Sequence, residues 1–166
     1  MNFKEINILD LGRNAFELIG KDWMLITAGS EEKMNTMTAS WGGVGVLWNK
    51  NVSFIFVRPQ RYTLEFLESN DYYTLSFFGG DYKKILTYCG RNSGRDVDKV
   101  RETGLNVVFD KAPYFNEAKL VLVCKKLHSQ YIDPNGFNTD DVKNNYKSND
   151  YHKMFVGEII KCLVRE

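Results

Sequence analysis

Long apolar runs are missing from this sequence. No stretch reaches the roughly 18 uncharged apolar residues that a membrane-spanning helix needs. The first residues, Met1-Asn2-Phe3-Lys4-Glu5, are not followed by the apolar core of a signal peptide. Both absences set the expectation of a cytoplasmic chain without a membrane partner. Paired cysteines are missing as well. Cys89, Cys124 and Cys162 are odd in number and far apart, which argues against a disulfide framework and against structural zinc. Charge of one sign is not in excess: 22 basic and 21 acidic residues give a net charge of +1. Bulk electrostatics therefore gives no reason to expect nucleic acid or an anionic membrane as partner, and leaves room only for a local basic site. His128 and His152 lack metal-type spacing. Asp133-Pro134-Asn135-Gly136 starts like a calcium loop, but proline takes the second place and Thr139-Asp140-Asp141 does not complete the ligand set. No local pattern supports a Ser–His–Asp triad, and neither repeats nor low-complexity stretches occur.

What is present suits one domain. The chain has 166 residues, 43% hydrophobic and 14% aromatic, with nine Tyr and eleven Phe. Aromatics in this proportion suit a β-rich core and a site for a flat ligand. The pattern predicts a helical segment within residues 1–20, capped by Asp10 and stopped by Gly20. Strands are expected over Trp23–Ala28, Met34–Trp41, Gly42–Trp48, Val52–Val57, Tyr72–Phe78, Ala118–Leu127 and Met154–Val164. Short helices are expected after caps at Thr63, Asp81 and Asp96, the last two ending at Gly90 and Gly104. Residues 133–150 are polar and read as a long surface loop. Many short strands with a few helices between them predict a mainly β fold, a β-barrel with helical insertions.

Three segments suggest chemistry. The turn Arg58-Pro59-Gln60-Arg61-Tyr62-Thr63 leads from a strand into a helix start. Two guanidinium forks, a hydroxyl and free N–H groups at a helix N-terminus suit a phosphate, and Pro59 stiffens the turn. By spacing alone, a solvated arginine pair at a helix end is the commoner reason for such a turn. The strand Asn35-Thr36-Met37-Thr38-Ala39-Ser40-Trp41 carries small side chains that let a flat ring approach the backbone; a strand with one polar face is again the commoner reason. Cys89 to Asp96 forms a polar, basic inter-helix segment, and Cys89 beside Arg91 is either reactive or an inert buried thiol. Gly42-Gly43-Val44-Gly45-Val46-Leu47-Trp48 fails as a dinucleotide fingerprint, because Trp48 replaces the third glycine and no helix follows.

Together these segments resemble the flavin reductase-like family with the FMN-binding split barrel, especially its flavoredoxin branch. The resemblance runs from about Asp22 to Val164. It is carried by Met37–Gly43, Val57–Thr63, Ser93–Lys99 and His152–Ile159, in that order and spacing. It implies a split β-barrel, one noncovalent FMN per subunit, and a homodimer with FMN near the interface. Asn35, Thr36, Met37, Thr38, Ala39, Ser40 and Trp41 would line the ring and ribityl chain. Arg58, Arg61, Tyr62 and Thr63 would hold phosphate and ribityl oxygens, with Ser93, Arg95 and Lys99 closing over them. His152 matches the family's histidine before the last strand, with its contact left open between flavin, substrate and partner subunit. The implied activity is an oxidoreductase in which NADH or NADPH reduces FMN, which passes electrons to a flavin, a protein or another small-molecule acceptor. Two other readings stay open: an electron carrier reduced by a protein partner, and a flavin- or haem-binding module without turnover.

Overall fold

The computed structural model describes residues 2–166. In chain order it contains β1 (Phe3–Ile6), β2 (Met24–Gly29), β3 (Met34–Ala39), β4 (Gly42–Leu47), β5 (Lys50–Val57), α1 (Thr63–Ser69) and β6 (Tyr72–Phe77). These are followed by α2 (Lys83–Arg91), α3 (Lys99–Thr103), β7 (Val107–Phe109), β8 (Pro113–Phe115), β9 (Leu120–Tyr131), α4 (Asp140–Lys143) and β10 (Lys153–Arg165). One antiparallel sheet runs in the order β3-β2-β6-β9-β10-β5-β4, with β1 added on β10, while β7 and β8 form a separate ribbon.

The order alone requires the sheet to curl. Its two end strands, β3 and β4, are joined only by Ser40 and Trp41. Laid flat, seven strands at about 4.8 Å spacing would set the end strands about 29 Å apart. Three Cα steps from Ala39 to Gly42 reach at most about 11 Å. The sheet therefore rolls up until its ends meet, and since β3 and β4 do not pair, the barrel is split along that seam. Bulges between Val156 and Gly157 and between Ile159 and Lys161, in the pairing of β10 with β9, add local coiling.

Both faces of the sheet are covered. Met24, Ile26 and Ala28 of β2 and Leu122 and Cys124 of β9 share one core with Ile55, Tyr73 and Phe155. The intervening Leu25, Val121 and Val123 join a second core with Leu86, Cys89 and Phe115 from α2 and β8. Double coverage explains why these strands read as continuous apolar runs instead of alternating.

The helices differ from the expected boundaries for identifiable reasons. The N-terminal segment is not one capped helix. It holds β1, a 3₁₀ turn at Ile8–Asp10 capped by Asn7, and a wide π turn at Glu17–Asp22 that passes through Gly20. The pairing of β1 with β10 is long-range and leaves no local signal. Thr63 does not cap α1: it is the first helical residue, fully buried, and Tyr62 takes the cap position. Asp81 lies in a 3₁₀ turn, and α2 runs through Gly90 to Arg91. The cap of α3 is Asp98, whose side chain accepts from the Arg101 N–H at 3.0 Å, two residues after the expected Asp96. Gly104 ends that helix with φ of 69°, as its glycine suggested. Residues 133–150 lie at the surface but carry a 3₁₀ turn, α4 and a second 3₁₀ turn.

Candidate functional site

The turn after β5 is closed by the Arg61 N–H donating to the Arg58 carbonyl at 3.0 Å. It sends both arginines to the wall of a cavity of about 390 Å³. The cavity also takes Asn35 and Met37 from β3, Thr63 from α1, Arg91 to Gly94 from the end of α2, and Lys99 from α3. Among the described residues its lining holds four cations, Arg58, Arg61, Arg91 and Lys99, and no carboxylate. Such a lining recruits an anion.

Two of these cations are unusual. Arg61 Nη1 donates to the Gly90 carbonyl at 2.7 Å, and burial, then the neighbouring Arg58 charge, lowers its pKa. Lys99 is only 6% exposed. Its Nζ donates to the carbonyls of Thr36 (2.7 Å) and Cys89 (2.8 Å), which leaves one of its three N–H donors for a ligand. Burial pushes its pKa down to about 8; the Cys89 thiol opposes that shift and Arg61 adds to it. The Cys89 thiol is itself buried and pushed up, which is the inert form and not the reactive one.

The cavity walls are braced. Asn35 Nδ2 donates to Thr63 Oγ1 at 2.8 Å, tying β3 to α1. The segment after α2 crosses so close to Asn35 that a β-carbon at Gly94 would lie 2.0 Å from Asn35 Oδ1. Ser93 lines the cavity, and its Oγ accepts from the Arg95 N–H at 3.2 Å. Arg95 itself points elsewhere. It pairs with Glu65, lies 4.6 Å over the Tyr62 ring and lines a neighbouring cavity.

A second cavity, of about 170 Å³, adjoins the first and shares Met37, Arg58 and Arg61 with it. It lies at the split seam, lined by Met37 to Trp41 with Phe56 and His152. Trp41 is half exposed, with its ring 5.5 Å from the His152 ring. His152 is buried; its Nδ1 shares a 2.8 Å hydrogen bond with the Tyr146 hydroxyl. Burial, then the Arg58 charge, lowers its pKa to about 4 against the opposing pull of Asp150, so the ring is neutral at ordinary pH. Within β3 the roles divide. Thr36 turns its hydroxyl onto Thr27 Oγ1 at 2.8 Å and offers the site only its carbonyl, to Lys99. Thr38 donates its hydroxyl to the Leu86 carbonyl of α2. The small side chains thus serve packing as well as room for a ligand.

The joined cavities are cationic at one end and lined by a strand edge and aromatic rings at the other. That donor set fits a flat molecule carrying a phosphate, such as FMN. Volume alone would not select them, since a mostly apolar cavity of about 560 Å³ lies between the N-terminal segment and the barrel, beside Leu11, Leu18 and Phe77. Several lining residues were not among the sequence candidates: Gln60 and Gly94 lay within segments already singled out. Arg91 and Asn92 stood in the basic segment already noted; Phe56 had no signal, because only the seam brings it beside β3. Among the described residues no group of three or more His, Cys, Asp or Glu is placed to hold a metal ion, and no helix is long and apolar enough to cross a membrane.

Comparison with known proteins bears on the fold and the family. No curated protein sequence matches the chain. Among solved structures it is similar to a flavoredoxin from Methanosarcina acetivorans, at 26% identity and a TM-score of 0.67, over 87% of this chain and 69% of that one. It is also similar to the FMN-binding domain of a flavin reductases-like enzyme from Shewanella baltica, at 18% identity and a TM-score of 0.71, over 98% and 77%. A third similar structure is the NADH:FAD oxidoreductase of Streptomyces globisporus in complex with NAD and FAD fragments, at 17% identity and a TM-score of 0.64, over 87% and 74%. These likenesses extend the split-barrel fold to the present chain. Residues 17–166, from the π turn to the last residue, match the family described as flavin reductase like domain, and the chain belongs to that family.

Proposed function

We propose that this chain is an FMN-dependent oxidoreductase that takes electrons from NADH or NADPH and passes them to a flavin or another acceptor. The observation that carries this reading is the pairing of a cavity lined, among the described residues, by four cations and no carboxylate with a cavity at the seam lined by a strand edge and the rings of Trp41, Phe56 and His152. Arg61, Lys99 and Arg91 hold the phosphate, with Ser93 and Asn92 beside it. The β3 edge from Met37 to Trp41 supports the ring. Bound FMN supplies the electron chemistry through its ring. No side chain has to move a proton for that role, and the neutral His152 acts as a wall of the ring end and a hydrogen-bond partner. The half-exposed Trp41 leaves the ring end accessible to a nicotinamide or an acceptor. A cytoplasmic homodimer belongs to the same reading. Val44 and Val46 of the edge strand β4, with Trp48 and Trp41 nearby, are exposed beside the seam and offer an apolar surface for a second copy.

The test is a flavin titration followed by anaerobic addition of NADH or NADPH. Absence of FMN uptake removes the reading. Arg61→Ala should weaken FMN by about tenfold or more, the value of one charge-assisted hydrogen bond, and leave riboflavin binding nearly unchanged. Equal losses for both flavins would mean that this pocket does not hold the phosphate. Bleaching by dithionite but by neither nucleotide would replace the reductase with an electron carrier.

A further inference from the structure

Arg58 lines both cavities, yet its own contacts lead away from them. Its guanidinium pairs with the Asp150 carboxylate, donates from Nη2 to the Asn145 carbonyl at 3.0 Å, and lies 5.2 Å over the Tyr146 ring. Gln60 Nε2, from the same turn, donates to Asp150 at 2.9 Å. Between these two contacts the same surface segment is also fixed to His152 of the ring cavity, which shares a hydrogen bond with Tyr146. Tyr146 is buried, 5.1 Å from Tyr151 and 5.6 Å from Phe137, centroid to centroid. The segment has only single-turn helices and this small aromatic cluster. A segment so built opens locally when its tethers are cut, without unfolding the barrel.

We propose that Arg58 and Asp150 are positioning residues whose ion pair latches the segment 137–151 onto the phosphate-binding turn and thereby sets Tyr146 behind His152, which forms a wall of the ring cavity. An isolated exposed ion pair contributes little. This pair is partly shielded and reinforced by Gln60, the Asn145 carbonyl and the Tyr146 face. The hydrogen bonds from Gln60, then Arg58, hold the Asp150 carboxyl below the usual carboxylate range, so the latch stays charged at ordinary pH. The assignment of the ring cavity rests on the proposed FMN reading; the latch itself does not.

The experiment is Asp150→Asn, studied first without flavin. Trypsin cleavage after Lys143 or Lys147 should accelerate about tenfold, the scale of one lost charge-assisted contact. The His152 ring should titrate above its low value by NMR. The direction is diagnostic. His152 faces Tyr146, Trp41 and Phe56, and feels the charges of Arg58, Asp150 and Arg61. Deleting the Asp150 charge alone lowers the histidine pKa, whereas release of Tyr146 admits water and raises it. Arg58→Lys, which keeps the charge and loses the fork, should give an intermediate cleavage rate. An unchanged cleavage rate, or a His152 pKa at or below the wild-type value, overturns the latch. In the flavin titration Asp150→Asn should weaken FMN and riboflavin by the same factor; a loss confined to FMN would make Arg58 a phosphate ligand instead. Failure of the wild-type chain to take up FMN removes the functional reading and leaves the cleavage and titration results standing.

Discussion

Lys99 is a buried side chain that ties β3 to α2 and, in the proposed function, also meets the ligand. Its ammonium rests on two carbonyls with no carboxylate partner, and burial lowers its pKa from 10.5 to about 8. Between those values the unfolded chain holds the proton and the folded chain has released it. The contribution of Lys99 to stability therefore rises with pH across that window, the sign expected when the unfolded state binds more protons. Ligand binding takes the opposite sign, since an anion favours the charged ammonium. FMN affinity should hold steady between about pH 7 and 8, where the phosphate is already doubly charged, and fall above that range as Lys99 loses its charge, and Lys99→Met should flatten that limb. Titrations at a series of pH values in both proteins check this. An identical fall in the methionine variant would assign the pH dependence to another group.

At the scale of elements, the cavity depends on the crossing of the α2–α3 connection over β3. Gly94 makes that crossing possible, because any β-carbon there meets Asn35 Oδ1 at 2.0 Å. Asn35 is not free to swing away without losing its hydrogen bond to Thr63. Gly94→Ala should therefore shift the connection and lower stability by about 1–3 kcal/mol, the range for overpacking a close contact. Urea denaturation reads the loss, and a weaker FMN titration should accompany it, since Ser93 and Asn92 move with the backbone. Wild-type values in both measurements would mean that the crossing relaxes freely. The β3–β4 connection matters for a different reason. Ser40 and Trp41 join the two ends of the sheet, so the residues that close the barrel are also those that line the ring cavity.

For the whole molecule, the barrel leaves one edge strand bearing exposed Val44 and Val46 beside the half-exposed Trp41. An exposed apolar edge is a surface that folded chains ordinarily cover. If a second copy covers it, as proposed, Val46→Lys should shift the protein from dimer to monomer in sedimentation or light scattering. FMN content should fall with it if the cofactor lies near the interface. A wild-type chain that sediments as a monomer would refute the homodimer. A monomeric variant with full FMN content would separate the cofactor site from the interface.

The sequence by itself determined the mainly β class, the positions of seven strands, the glycine stop at Gly104 and the arginine-bearing turn at Arg58 to Thr63. These features follow from local periodicity and turn chemistry, which act over a few residues. It also carried the resemblance that located most of the cavity lining. Tertiary structure decided which groups face the cavity. It sent Arg95 to Glu65, turned the Thr36 hydroxyl into the barrel, engaged Arg58 with Asp150 and brought Phe56 beside the seam. It also added a strand, Phe3–Ile6, on β10 ahead of the expected N-terminal helix and moved that helix to a π turn at Glu17–Asp22. The physical reason is common to all of these. Each outcome depends on a partner distant in sequence: the pairing of β5 with β10 brings Arg58 to Asp150, whereas Phe56 meets the end of β3 only when the sheet has curled and its two ends have met.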